Sequence, residues 1–313
     1  MKVIVTGGAG FIGSHVTEAL IKRGLEVIVF DDLSTGDLGN VPSGVALVRG
    51  DVSKHEDLER VMEYVREDEI AIAHLAALVS VPEAMERPIR AFEVNVLGTM
   101  NVMELARRLD SYVVIASSAA VYGDTPHLPV SEDAPTRPLS TYGASKLAAE
   151  AVALAMARER GLRASALRLF NVYGPRMRLG PYAGVILRFL TAALQGLTPE
   201  VYGDGLNTRD FVYVTDAAEA FALAIERGAV GVFNVGTGRE TSVLELLELI
   251  SRVTGVQMRP AFKPPRPGDI RRSVADIRLA REQLGWSPRV PLEEGLRLTY
   301  EWLRSSSPST RTS

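Results

Sequence analysis

Thr6-Gly7-Gly8-Ala9-Gly10-Phe11-Ile12-Gly13 separates two kinds of sequence. Before it lies Lys2-Val3-Ile4-Val5, short, apolar and β-branched, a pattern that suits a strand. After it, residues 10–23 carry apolar side chains at helical spacing. The stretch between is therefore a strand-to-helix turn, with Gly7, Gly10 and Gly13 spaced G-x-x-G-x-x-G. Glycine permits a tight turn and lets backbone approach a pyrophosphate, and the third glycine lets the helix pack close to the strand. The helix N-terminus then offers N–H groups and a partial positive charge to phosphate. Glycines also make ordinary turns, so context carries the reading. Here a second strand, ending in Asp31-Asp32, follows after about 20 residues, the spacing of a ribose-binding carboxylate.

Working outward, further strands are expected at 46–51, 70–76, 112–117 and 164–170, and helices at 53–66, 89–109 and 141–160. The strands are rich in Val, Ile, Leu and Ala with little polar alternation, as expected where both faces of a sheet are buried. Alternation of this kind implies a parallel sheet with right-handed crossovers. After residue 174 proline and glycine become more frequent, and helices are expected at 214–227, 243–254 and 291–304. The expected class is α/β: a Rossmann doubly wound parallel sheet over residues 1–174, then a smaller C-terminal α/β substrate-binding lobe over 175–313. A short return of that lobe to the sheet stays open.

Composition narrows the function. A net charge of -3 gives no reason to expect nucleic acid or an anionic membrane as partner. The absence of cysteine excludes disulfides, Cys–zinc sites and Cys nucleophiles. With four histidines, no metal site is expected. No apolar run reaches the roughly 18 residues of a membrane span. The N-terminus reads as a strand, not a signal peptide. A cytoplasmic protein is expected.

Asp31 is the expected acceptor for adenosine ribose hydroxyls. Asp32 would repel a 2′-phosphate and no Arg stands nearby, which favours NAD over NADP; Asp32 equally fits a turn. Ser34, Thr35 and Gly36 follow in the same loop. Asp51-Val52 ends the third strand, where adenine could be met, or where Asp51 could cap the next helix. Gly7, Gly10, Phe11, Ile12 and Gly13 complete the cofactor set that these residues suggest.

Tyr142-Gly143-Ala144-Ser145-Lys146 opens a helix, and residues four apart share one helical face. A cation beside a phenol lowers its pKa and makes it a usable proton acceptor. By chance alone this motif is common. Ser117-Ser118 raises it, because these hydroxyls end a buried strand on the edge where doubly wound sheets bind ligands.

Together with Leu75-Ala76-Ala77, Asn95, Ser117–Gly123 and Leu167–Arg176, and with Thr208–Val212 and Arg266–Asp269, these motifs resemble the extended short-chain dehydrogenase/reductase family from Met1 to about Leu303. The resemblance implies bound NAD, with Leu75-Ala76-Ala77, Asn95 and Phe170 added to the cofactor set, Ser118 against the sugar 4-OH, Tyr142 as base, Lys146 tuning it, and Asn95 at a helix kink behind the site. Asn95 is equally a satisfied core amide. It implies Arg209 and Arg266 on the diphosphate, Asn171 on diphosphate or sugar, and Asp269 on the uridine ribose. Val201 and Tyr202 would flank the uracil, and Val185 and Ser273 would line the substrate pocket. For each Arg, including Arg176, a surface ion pair is the plain alternative. Family dehydratases, and often its decarboxylases, carry a carboxylate just after the active-site hydroxyl, where this chain has Ala119-Ala120. The implied activity is therefore C4 epimerisation of a UDP-hexose, UDP-galactose and UDP-glucose first. Ser273, where some members carry Tyr, leaves room for N-acetylated sugars. The helical patterns at 89–109 and 141–160 match those that pair into a homodimeric four-helix bundle, though they are also plain core packing.

Overall fold

Val3 and Val5 point to one side of the first strand and Ile4 to the other, and none of the three is exposed. The computed structural model, which describes residues 1–66, 69–178, 180, 183–265 and 269–306, repeats this pattern across a sheet. Its strands are β1 (Lys2–Thr6), β2 (Glu26–Asp31), β3 (Ala46–Arg49), β4 (Ile70–His74), β5 (Tyr112–Ser118), β6 (Ala164–Leu169) and β7 (Gly231–Val235). They lie in the order β7-β6-β5-β4-β1-β2-β3, every pair parallel. From β1 the chain builds outward through β2 and β3, then crosses to β4 and builds the other way. The order reverses between β1 and β4, and there the carboxyl ends of the strands open a ligand crevice.

Helices cover both faces. Helix α1 (Phe11–Ile21) and helix α4 (Val214–Arg227) bury Val16, Leu20, Phe221 and Ile225 against the face of Val3 and Val5. Helices α2 (Gly98–Leu109) and α3 (Thr141–Arg160) bury Val102, Met103, Ala153 and Ala157 against the face of Ile4, Ile28 and Ile72. Each such Val or Ile contributes about 1.5–3 kcal/mol on burial. Two-sided burial is why the strands read as unbroken apolar runs. Helix α3 is delimited chemically: the Ser140 hydroxyl accepts from Gly143 N at 3.0 Å, and Gly161 takes φ +69° at its end.

A separate core, with Tyr173, Phe189, Val201, Phe211, Leu246, Ile250 and Leu296 among its members, holds the C-terminal lobe. Its strands are short pairs: Asn171–Tyr173 with Phe211–Tyr213, Thr208–Arg209 with Thr241–Ser242, and Glu200–Tyr202 with Ala261–Lys263. Both α4 and β7 come from residues beyond 174 yet pack on the large sheet.

Several local expectations change. The helix expected at 53–66 is one turn, His55–Glu59, continued as a tighter 3-10 helix, Arg60–Tyr64. The helix expected at 89–109 is broken: Pro88–Phe92, a π turn Glu93–Leu97, then α2. Helix Val185–Gln195, bounded by Gly184 and by Gly196 at φ +66°, was not anticipated as a helix. Among the described residues, no helix is long and apolar enough to cross a membrane, and no three His, Asp or Glu are grouped to hold a metal ion.

Candidate active site

At the end of β1, Gly7 takes φ +71°, and a Cβ there would stand 2.6 Å from Ala76 N. A Cβ on Gly13 would stand 2.0 Å from the Gly7 carbonyl oxygen, so neither position admits a side chain. Gly10 is the N-cap of α1, with no side-chain cap, and no acidic residue occupies the first turn that begins with Phe11 and Ile12. The helix start therefore carries no built-in counter-charge, and this cradle fits a diphosphate.

Buried Asp31 accepts from Ala9 N at 3.0 Å and from Leu33 N at 2.8 Å, which ties the glycine loop to the end of β2. Burial raises its pKa against those two N–H groups. Gly36 lets the chain fold over this carboxylate, since a Cβ would lie 2.9 Å from Asp31 Oδ1. Asp32 closes a turn by accepting from Ser34 N and Oγ at 2.8 and 2.6 Å, and Thr35 is exposed. Asp51 is not the cap of the next helix; that residue is Lys54. Instead Asp51 accepts from Ser53 N at 2.9 Å and Oγ at 2.7 Å, and pairs with Arg90 at 2.5 Å. Arg90 lies far along the chain and had no visible signal. Val52 is buried against Gly98, where a Cβ would meet its Cγ2 at 2.8 Å. Leu75 N donates to Thr6 O at 3.0 Å and Ala76 N to Thr6 Oγ1 at 3.3 Å, with Ala77 half-buried beside them. Phe170 is buried, and its N–H donates to Val235 O at 2.9 Å.

Ser118 ends β5, half-buried, its Oγ accepting from Ala120 N at 3.2 Å. The start of α3 presses on the turn Ala119–Val121, and Gly143 makes that possible: a Cβ there would lie 2.7 Å from Ala120 O. Tyr142 thus meets Ser118. Burial raises the phenol's pKa, and the Ser118 hydroxyl opposes the rise. Lys146, one turn on and buried, is brought down to about 8 by burial, against the charge of Glu150. Its ammonium form still dominates at neutral pH. The charge of Lys146 bears on His74, which burial first and Lys146 second hold at about 3. In this state Ser118, rather than the expected Lys146, is what lowers the phenol. His74 Nδ1 lies 2.7 Å from Thr6 Oγ1 and its Nε2 lies 3.0 Å from Thr99 Oγ1, which ties the end of β4 to β1 and to α2.

Asn95 sits at the π turn, where helix bonding is interrupted. It accepts from Leu78 N at 2.8 Å, donates to Leu78 O at 3.1 Å, and donates to Ser145 Oγ at 2.8 Å. Its amide is satisfied by backbone and by the motif helix itself.

In the C-terminal lobe, half-buried Arg209 donates through Nη1 to Thr208 O at 2.8 Å and Ile270 O at 2.7 Å. Burial lowers its pKa, opposed at a distance by Asp269 and Asp124. Neighbouring Asp210 is fully buried and accepts from Thr237 N and Oγ1, Gly238 N and Ala275 N at 2.6–3.1 Å. Asn171 joins by N and Nδ2 to Asp210 O. Val201 is buried; Tyr202 donates to Glu200 at 3.1 Å under the Arg188 guanidinium, 5.5 Å from the ring centre. Val185 begins its helix, Ser273 is half-buried and Asp269 exposed. Arg266 lies outside the described residues. Arg176 takes the plain alternative: it pairs with Glu18 and donates to Ser14 Oγ at 3.1 Å.

Sequence reading missed Glu150. It pairs with Arg168 at 2.6 Å and accepts from Ser117 Oγ at 2.5 Å, all three buried. An arginine inside the apolar strand β6 was the available signal.

The GDP-mannose 4,6 dehydratase family model matches residues 4–299. The chain is 40% identical to the UDP-glucose 4-epimerase of Thermotoga maritima, solved with UDP-glucose (TM-score 0.93; 97% of this chain, 99% of that one). It is 41% identical to the UDP-glucose 4-epimerase of Thermus thermophilus, solved with NAD (TM-score 0.92; 98% and 100%). It is also 35% identical to UDP-glucuronic acid decarboxylase 1 of Xenopus tropicalis, over 97% of this chain and 72% of that one.

Proposed function

The chain belongs to the GDP-mannose 4,6 dehydratase family, among the extended short-chain dehydrogenases/reductases, and on that premise we propose that it is an NAD-dependent UDP-sugar 4-epimerase that interconverts UDP-galactose and UDP-glucose. The observation that carries the proposal is Tyr142 hydrogen-bonded to Ser118 at the carboxyl edge of the sheet, with Lys146 one turn further along the same helix and its charge bearing on His74 at the end of β4.

Gly7, Gly10, Gly13 and the start of α1 hold the NAD diphosphate, Asp31 the adenosine ribose, and Lys146 the nicotinamide ribose. NAD, when bound, supplies the hydride acceptor and later the hydride donor at C4, together with a positive charge that favours phenolate. Tyr142 takes the proton of the sugar 4-OH, and Ser118 hydrogen-bonds the same oxygen. Arg209 grips the diphosphate: it is a half-buried cation bonded, among the described residues, only to carbonyls, with guanidinium donors left for phosphate oxygens. With the UDP held, the 4-keto sugar turns about its link to the diphosphate. Tyr142 then returns the proton to the inverted C4 oxygen. Ala119 and Ala120 offer no carboxylate for elimination, which argues against dehydration and, with it, decarboxylation.

Ser273 extends the proposal to UDP-GlcNAc and UDP-GalNAc. A homodimer also belongs to it: Ile89, Phe92, Leu97 and Met100 leave exposed apolar side chains along the broken helix, where a second copy would pair.

The test incubates purified protein with UDP-galactose, with and without added NAD, and follows UDP-glucose. Conversion without net redox change is expected. Accumulating NADH would point to a reductase, and no conversion of any UDP-hexose in either arm would end the proposal.

A further inference from the structure

Tyr142, Lys146 and Glu150 stand at successive turns of α3, and the third of them is engaged by neither cofactor nor substrate in the reaction above. Glu150 is buried and held from two strands. From β6, Arg168 donates to it from Nη2 at 2.6 Å and Nε at 3.1 Å, a two-point grip on the carboxylate. From β5, Ser117 donates at 2.5 Å, and Ser117 directly precedes Ser118. Arg168 is itself held by the Tyr122 hydroxyl at 2.9 Å and the Glu132 carbonyl at 2.8 Å.

We propose that Glu150 is a positioning residue: clamped by Arg168 and Ser117, it fixes the Ser118 end of β5 against the helix that carries Tyr142 and Lys146, and it holds a negative charge one turn from the Lys146 ammonium. This deepens the epimerase reading and rests on it for its kinetic part. Among the described residues, the charged and titratable groups near Lys146 are few. Tyr142 and Glu150 share its helix, His74 approaches from β4, and Arg168 acts from β6 through its hold on Glu150. His74 stays neutral, so Glu150 is the one anion among these groups, and its charge favours the protonated lysine. Arg168 supplies the positive charge that offsets the burial of that carboxylate.

The chain has only five lysines, so ε-13C-lysine labelling gives a spectrum in which Lys146→Arg assigns the one signal of interest. In the wild type that signal is expected to titrate near 8. In Glu150→Gln the midpoint is expected to fall by about one pH unit or more. At neutral pH kcat should drop while KM for the UDP-sugar changes little, with partial recovery in Glu150→Asp. Where Glu150→Gln fails to fold, the apolar pair Glu150→Met with Arg168→Met removes both charges, a replacement that folded proteins often tolerate, and a fall in the same direction is expected, smaller because the Arg168 cation is gone as well. A Lys146 midpoint that stays at the wild-type value in a folded variant overturns the proposal. Absence of epimerase activity in the wild type would defeat the functional reading alone, because the lysine titration needs no substrate.

Discussion

The two halves of the molecule place their polar groups by different means. In the sheet half, backbone ladders do the positioning: β1 and β4 end level with each other, β5 runs on past them to Ser118, and Gly7, His74 and Ser118 sit where those strands stop. Among the described residues of the C-terminal lobe no strand pair exceeds three residues, and buried carboxylates organise the loops instead. Asp210 gathers Thr237, Gly238 and Ala275 next to Arg209, and Asp216 accepts from Arg289 N and Val290 N at 3.0 and 2.9 Å. A sheet makes a rigid floor for a cofactor common to many reactions. Loops tied to single carboxylates can be re-cut to suit a substrate without disturbing that floor.

The comparison breaks first at Tyr142. Tyr142→Phe should lower kcat by about 10²–10⁴-fold, the usual worth of a positioned proton acceptor, with NAD content and melting unchanged. Near-wild-type turnover would remove the chemical role of the sheet half. Arg209→Met tests the other half. Loss of a charge-assisted phosphate contact is expected to weaken UDP-sugar binding by about 1.5–3 kcal/mol, roughly 10- to 150-fold in KM, with NAD binding intact. A variant that lost NAD but kept KM would reverse the assignment of the two halves.

The smallest effect sharpens how the sheet half is joined. His74 bonds Thr6 of β1 to Thr99 of α2, and its folded pKa lies near 3, below the ordinary 6.5. A histidine with a depressed folded pKa stabilises fully above the unfolded value. As pH falls from 6.5 towards 3, the unfolded chain takes up a proton that the native state refuses, and stability drops by about 1.4 kcal/mol per pH unit. Urea unfolding at pH 7 and pH 5.5 should therefore show a larger acid loss in the wild type than in His74→Gln. Equal losses in both would show that this ring is not held neutral.

The sheet was legible because its strands are buried on both faces, so Val3-Ile4-Val5 and Ile70-Ala71-Ile72 appear as continuous apolar runs. The glycine loop was legible because steric limits on Gly7 and Gly13 act within a few residues. Helix Val185–Gln195 was also within reach, since glycines bracket a periodic apolar run. The break at Asn95 was not a local signal: it depends on Leu78 and Ser145, distant in the chain. The Glu150–Arg168 pair, and the choice of Arg176 for Glu18 over a ligand, likewise depend on which elements meet.

Sequence by itself determined the repeating β-α order, the nucleotide cradle and the identity of the tyrosine, lysine and serine, because spacing along one strand, turn or helix is set by local geometry. Only the tertiary structure decided that Ser118 faces Tyr142, that Lys146 lies between His74 and Glu150, and that residues 231–235 complete the sheet. Those relations need elements far apart in the chain to pack, and electrostatic effects depend on burial and distance, which exist only after packing.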